Sequence, residues 1–347
     1  MGCKACIGVT EEGQYNYSQE KENQKIKLEF LNKFDNFLET SECQKTNDED
    51  FLSYIEQNYL NYSKENELEY PPEIIQKEDL SHNMEPIKFK NGNIFKGNWN
   101  NEIQMEGKGE YYIKDDNVYI VGIWEKGELK YGRVFMPNGN IYEGYIKDSK
   151  YNGKGKLILP PDAEYEGFFE NNEFKNGKMK WNNGYEYEGD FNGNCLEGKG
   201  KLTGPDGDIY EGYFDKSLFH GQGKYIYHNS QNEYDGEFQY GIKKGKGKYI
   251  AMNEYTYDGN WDNDIPFGYG KLTTWDNTCI LKCTFRAGKI AEEPIYEIGS
   301  KDNFNQDNFE IKPEEMKLDT RNLTHLEVPK IEATEYKLGG NVSFLDE

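Results

Sequence analysis

Aliphatic residues are scarce in this 347-residue chain, in which hydrophobic residues of every kind make up only 35%. That is thin provision for the two or three conventional cores its length allows. Long apolar runs are missing too. No stretch approaches the ~18 residues a membrane-spanning helix needs, and no signal-peptide apolar region follows Met1. Basic clusters are equally wanting. The net charge is -22, of which residues 1–85 carry -11, residues 86–290 carry -3 and residues 291–347 carry -8. With no basic stripe to release counterions, the sequence argues against nucleic acid as a partner. The six cysteines, at 3, 6, 43, 195, 279 and 283, show neither a disulfide framework nor a zinc spacing. Cys279 and Cys283 have no third or fourth ligand nearby, so no metal is expected, and scattered thiols fit a reducing cytosolic setting. His82, His220, His228 and His325 lack Ser, Cys or Asp partners that suggest a triad, so no catalytic residue, cofactor or enzyme activity is expected.

What is plentiful is aromatic and glycine residues: Tyr 28, Phe 19 and Gly 37. Disordered chains are poor in aromatics. The combination fits a thin fold in which tyrosine rings supply apolar area while their hydroxyls stay near water.

A phrase of Tyr, acid, Gly, any residue and aromatic recurs through the middle of the chain. It reads Tyr142-Glu143-Gly144, Tyr165-Glu166-Gly167-Phe168-Phe169, Tyr187-Glu188-Gly189-Asp190-Phe191 and Tyr210-Glu211-Gly212-Tyr213-Phe214, then Tyr234-Asp235-Gly236-Glu237-Phe238 and Tyr257-Asp258-Gly259-Asn260-Trp261. Looser copies stand at Phe95-Lys96-Gly97-Asn98-Trp99 and Gly122-Ile123-Trp124, and a worn ninth at Cys283-Thr284-Phe285 has cysteine in the glycine position. The anchor glycines recur about every 23 residues. Gly-x-Gly follows most anchors by nine or ten residues, as at Gly107, Gly153, Gly198, Gly221, Gly245 and Gly268. In two repeats Val134 and Met179 are read as standing where the second glycine belongs, after Gly132 and Gly177. Asn91-Gly92, Asn138-Gly139, Asn183-Gly184 and Asp206-Gly207 precede their anchors by five residues. Such dipeptides suit two-residue hairpin turns with positive φ at both central positions.

This pattern resembles the MORN repeat over residues 88–290. The resemblance implies a mainly β fold: an elongated single-layer antiparallel β-meander of about eight to nine hairpin repeats, with a small N-terminal helical segment beside it. The chain then divides into a terminus with an acylation signal (1–15), a helical segment (16–85), the meander (86–290) and an acidic C-terminal tail (291–347). Alternate strand residues share a face. Tyr210, Gly212 and Phe214 therefore line one face and Glu211 and Tyr213 the other, with glycine giving a ring room against backbone.

Two columns on the second face bear on function. Acids after the tyrosines and lysines after each Gly-x-Gly (Lys156, Lys201, Lys224, Lys248, Lys271) read as cross-strand pairs on a wet face. The family's name suggests a phosphoinositide stripe, but acids interleave the lysines, so lipid headgroup binding is disfavoured. One residue past the anchor glycines, Ile123, Tyr145, Phe168 and Tyr213 are apolar where other repeats are mostly polar, and mark either a partner-binding surface or one covered by the protein's own flanks.

In the flank, Ile26, Phe30, Phe34, Phe37 and Leu38 fall at helical spacing, as do Phe51, Leu52, Ile55 and Tyr59, and a short helix is predicted over 73–80. Helices there are expected to cap the meander. Met1-Gly2-Cys3-Lys4-Ala5-Cys6 reads as an acylation signal, with Gly2 for myristate and Cys3 and Cys6 for palmitate, although Cys6 stands where Ser or Thr is usual. The expectation is a non-catalytic scaffold that binds a protein partner or itself, held peripherally on a cytosolic membrane face by acyl chains. The alternatives are an axonemal or cytoskeletal component of radial-spoke type, or a regulatory subunit of a phosphoinositide-modifying enzyme.

Overall fold

Burial alternates residue by residue along most strands of this chain, as a sheet with one covered face requires. The computed structural model describes residues 25, 27–39, 43–45, 71, 82–299 and 311. The acylation signal, the helix candidates at 51–59 and 73–80, and the tail beyond residue 299 (Ile311 apart) lie outside them. The described chain falls into two units that divide between Ser149 and Lys150.

The first unit begins with helix α1 (27–39) and the two-residue strand β1 (Gln44–Lys45). Strands β2 (His82–Lys88), β3 (Ile94–Trp99), β4 (Met105–Ile113), β5 (Val118–Glu125), β6 (Glu128–Phe135) and β7 (Ile141–Lys147) follow, each antiparallel to the one before. The predicted helical spacing turns Phe30 and Phe34 inward, where both are buried. Phe30 stacks on His82 at 3.8 Å and Phe34 meets Trp99 edge-on at 5.4 Å. β1 pairs with β2, so α1 and β1 cover the unit's first edge.

The second unit is itself an antiparallel meander: β8 (Lys150–Leu159), β9 (Ala163–Glu170), β10 (Glu173–Trp181), β11 (Glu186–Asn192), β12 (Cys195–Thr203), β13 (Ile209–Asp215), β14 (Leu218–Ile226), β15 (Glu233–Gln239), β16 (Ile242–Ala251), β17 (Tyr255–Asp262), β18 (Ile265–Thr274) and β19 (Ile280–Arg286). Two short strands, β20 (Lys289–Ile290) and β21 (Ile295–Ile298), pair back on β19. Cys283 stands opposite Gly270, in the glycine position of the ninth copy.

The ring ladder explains the repeat. Tyr187 folds back over its anchor glycine so that its hydroxyl donates to the Asp190 carbonyl at 2.9 Å. Tyr142, Tyr165, Tyr210, Tyr234 and Tyr257 each make the same bond, to the carbonyl three residues on. A Cβ on Gly200, the glycine paired with Gly189, would lie within 3 Å of the Tyr187 ring. Glycine is needed there for close approach, on both strands. Phe191, Phe214, Phe238 and Trp261 each pack edge-on between two ladder tyrosines, as where Phe214 meets Tyr210 and Tyr187, both at 5.1 Å. Trp99, in β3, has no earlier strand pair to lean on, and Phe34 of α1 packs against it instead.

Two readings of the glycines need correction. Gly132 and Gly177 are the ring-side glycines, paired with Gly122 and Gly167. Val134 and Met179 therefore do not replace a glycine, and the missing one is the first of the pair. Where Gly-x-Gly occurs, its first glycine has positive φ (+64° at Gly198, +62° at Gly221) and the strand carries two extra residues, since Gly189 faces Gly200 while Asp190 faces Glu197. In β10 one extra residue, Lys175, suffices, and its φ is not positive. The shorter bulge removes the need for glycine.

The turns are also transposed relative to expectation. At Asn183-Gly184 only the glycine has positive φ, and Gly184 N–H donates to the Trp181 carbonyl at 3.0 Å. Asn183 Oδ1 accepts from Tyr185 N–H, which is what asparagine contributes there. This is a turn of ordinary residues closed by a left-handed glycine, the three-residue form of hairpin. Paired positive φ occurs at the opposite ends of the strands, at Asn171-Asn172, Lys216-Ser217 and Asn263-Asp264. Those turns are laced to the preceding repeat, as where Ser217 N–H donates to the Leu196 carbonyl at 2.9 Å and Ser217 Oγ accepts from Leu196 N–H at 3.0 Å.

Candidate interaction face

With the ladder filling one face, chemistry is left to the other. Its central row in the second unit alternates in sign from strand to strand. Lys156 stands opposite Glu166, Glu166 opposite Lys178, Lys178 opposite Glu188 and Glu188 opposite Lys201. The alternation then runs Lys201, Glu211, Lys224, Asp235, Lys248, Asp258, Lys271. At the end two lysines meet, Lys271 and Lys282, and Glu297 of β21 binds both, at 3.2 and 2.6 Å. Hydrogen bonding to Lys282 and Lys271 holds the Glu297 carboxyl below its usual range. The register thus places every repeat lysine from Lys156 to Lys248 beside acids, the cross-strand pairing that the sequence favoured over a lipid-binding stripe.

The four residues singled out past the anchor glycines are not equivalent. Phe168 and Tyr213 are 48% and 44% exposed, each with a lysine over its ring: Lys154 Nζ at 5.7 Å and Lys199 Nζ at 5.4 Å. They occupy the same row four strands apart, roughly 19 Å at the usual strand spacing. Between them Asp190 accepts from Asn176 Nδ2 at 2.6 Å. Tyr145 is half-buried, its ring edge-on to Tyr131 at 5.2 Å, and Ile123 is buried. Burial within the chain removes Ile123 from any open surface.

Sequence reasoning missed the reason. On the same face of the first unit, Tyr112, Tyr119, Phe135 and Ile141 stand in one row and all are buried, with Tyr119 stacked on Phe135 at 5.6 Å. The signal was the unbroken apolar run Val118-Tyr119-Ile120-Val121, the mark of a strand covered on both faces. Arg133 lies on that face as well, paired with Glu143 through two nitrogens at 2.8 and 2.6 Å. Among the described residues no cluster of His, Cys, Asp and Glu is placed to hold a metal, and no helix is long and apolar enough to cross a membrane.

The MORN repeat model matches residues 142–162, 187–209, 210–231, 234–253 and 257–274. No curated protein matches the chain. Among solved structures it is similar to the G-box domain of the microcephaly protein CPAP, at 11% identity and TM-score 0.35, covering 52% of this chain and 94% of that one. It is also similar to the TCP domain of SAS-4 from Drosophila melanogaster with a proline-rich motif of Ana2, at 8% identity and TM-score 0.30, covering 57% and 98%. A third is the TCP10 domain of CPAP from Danio rerio with a STIL peptide, at 10% identity and TM-score 0.25, covering 56% and 96%. The repeated tyrosine–glycine phrase, its hydroxyl bond and the family match converge: between residues 142 and 274 the chain is built of MORN repeats.

Proposed function

We propose that the chain is a non-catalytic scaffold whose second unit docks a protein partner on the face opposite the ring ladder. One observation carries the reading. Phe168 and Tyr213 stand exposed in one row of the face opposite the ladder, each with a lysine over its ring, beside the row of paired charges. Aromatic anchors on preorganised backbone are where binding energy concentrates. Their separation of roughly 19 Å matches the length of a helix of about 13 residues.

In the same proposal Gly2, Cys3 and Cys6 carry acyl chains that hold the scaffold to a membrane. The support is the sequence alone. A single myristoyl chain gives only marginal attachment, and a flank of charge -11 supplies no polybasic second signal. Palmitate on Cys3 or Cys6 is therefore required for stable anchoring.

The test uses the full chain and two variants. Phe168→Ser with Tyr213→Ser should keep the wild-type melting temperature yet lose the bound partner, or lose an oligomer if the partner is a second copy. Retained binding overturns the docking face. Cys3→Ser with Cys6→Ser should move a membrane-bound protein to the soluble fraction. A wild type that is wholly soluble ends the membrane reading and favours a cytoskeletal site.

A further inference from the structure

One inward position of the second unit breaks the apolar rule. The residues facing the anchor aromatics across each hairpin are Phe174, Leu196, Phe219 and Pro266, but in β16 the residue facing Phe238 is Lys243. Lys243 is fully buried. Its Nζ donates to Tyr227 Oη at 2.6 Å and lies 5.3 Å from the ring centres of Tyr227 and Tyr234 and 5.7 Å from that of Trp261.

The rings around it are neutral, and the Asp264 carboxylate favours the lysine's charged form against the larger effect of burial. Burial pushes the Tyr227, Tyr225 and Tyr234 hydroxyls up, so these stay neutral. Tyr249 adds a fourth ring, 6.5 Å from that of Tyr227. Asp208 is occupied by Tyr225 Oη at 2.8 Å and by His228 N–H at 2.8 Å. Asp264, in the turn between β17 and β18, has its carboxyl raised by burial, and its Oδ1 accepts the backbone N–H of Lys243 at 2.7 Å. In return Asp264 N–H donates to the Lys243 carbonyl at 3.1 Å. The lysine therefore sits at the clasp that laces one repeat to the next.

We propose that Lys243 makes the segment β15–β18 proton-responsive: opening of the repeats around it takes up a proton, so the ladder loosens there as pH falls toward neutrality and tightens as pH rises. An ammonium buried among aromatic rings loses its hydration, and such an enclosure returns only part of it. Burial lowers Lys243 from its ordinary 10.5 to about 7. Between those values the closed segment holds the neutral amine and the opened segment the ammonium. The closed form therefore gains stability as pH rises through that window. Below about pH 7 both forms hold the proton and the effect levels off. One proton taken up changes the opening equilibrium about tenfold per pH unit.

The test follows the full-length protein by lysine carbon-13 resonances and by amide hydrogen exchange corrected for intrinsic rates. The Cε resonance of Lys243 should titrate with a midpoint near 7. From pH 8 to 9 the opening of amides in β15–β18 should fall close to tenfold, while amides in β9–β12 stay level. Lys243→Met, an apolar replacement like its neighbours at this position, should abolish that fall, whereas Lys248→Met on the wet face should keep it. A Lys243 midpoint above 9 overturns the proposal. So does an equal pH response in wild type and Lys243→Met. The resonance titration needs no variant, so it decides the matter even if Lys243→Met fails to fold.

Discussion

The two units use one repeat to make two kinds of sheet. In the second, the ladder face is apolar and a row of alternating charges runs along the opposite face, so that Tyr187 and Tyr210 are buried while Glu188 and Glu211 beside them are exposed. In the first, β5 is buried at six of its eight positions, because Tyr119, Ile123 and their neighbours make the opposite face apolar as well. The difference lies in the residues between the anchors. Where Glu211 stands in the second unit, Val121 stands in the first; where the second has the exposed Tyr213, the first has the buried Ile123. The repeat motif fixes the ladder, and the residues it leaves unspecified decide whether a unit offers a surface or conceals one.

Alkali should separate the units most sharply. Burial pushes the Tyr165 hydroxyl up to about 12, and those of Tyr187, Tyr210, Tyr234 and Tyr257 higher still. The folded state holds these phenols neutral while the unfolded state ionises near 10. Their contribution is complete below pH 10 and is lost as pH rises through 10 to 12 and beyond. In the first unit Tyr111 is raised too, but Phe95 and Ile120, which cannot ionise, fill two ladder positions. Fluorine NMR of 5-fluorotryptophan should show Trp181 and Trp261 melting at lower pH than Trp99 and Trp124. Simultaneous loss would show that the ladder tyrosines do not set the difference.

A smaller but still large effect is expected at one ladder glycine. A Cβ at Gly212 would fall about 2.5 Å from Tyr210 Oη and close to the Gly223 backbone. Gly212→Val should cost the second unit about 3 kcal/mol, at the upper end for overpacking. Glu211→Ala, one residue away on the wet face, should cost a few tenths. Urea melts of equal midpoint for the two variants would refute the assignment of faces.

The smallest contrast compares equivalent positions in the two units. Ile123→Ser removes a buried aliphatic side chain and buries a hydroxyl, a loss of about 2–4 kcal/mol. Tyr213→Ser acts on a side chain that is 44% exposed and should stay within about 0.5 kcal/mol. If Tyr213→Ser proves as damaging as Ile123→Ser, the second unit's open face is also core.

The sequence by itself determined the local grammar. The period, the anchor glycines, the parity of Tyr210 against Glu211 and the amphipathic helix at Phe30 and Phe34 were all legible, because strand and helix geometry repeat identically wherever the pattern does. Turn chemistry was legible only in part, since Asn183-Gly184 suits two hairpin forms and strand register chooses between them. Which glycine is dispensable in β10 depended on counting residues across a bulge, which needs the partner strand. Tertiary structure alone decided that Ile123 is covered while Phe168 and Tyr213 are open, since burial on the second face depends on what packs over it. The enclosure of Lys243 was likewise invisible: in the sequence it is one lysine of a Lys243-Lys244 pair, and only the rings of Tyr227, Tyr234 and Trp261, brought together from neighbouring repeats, take it out of water.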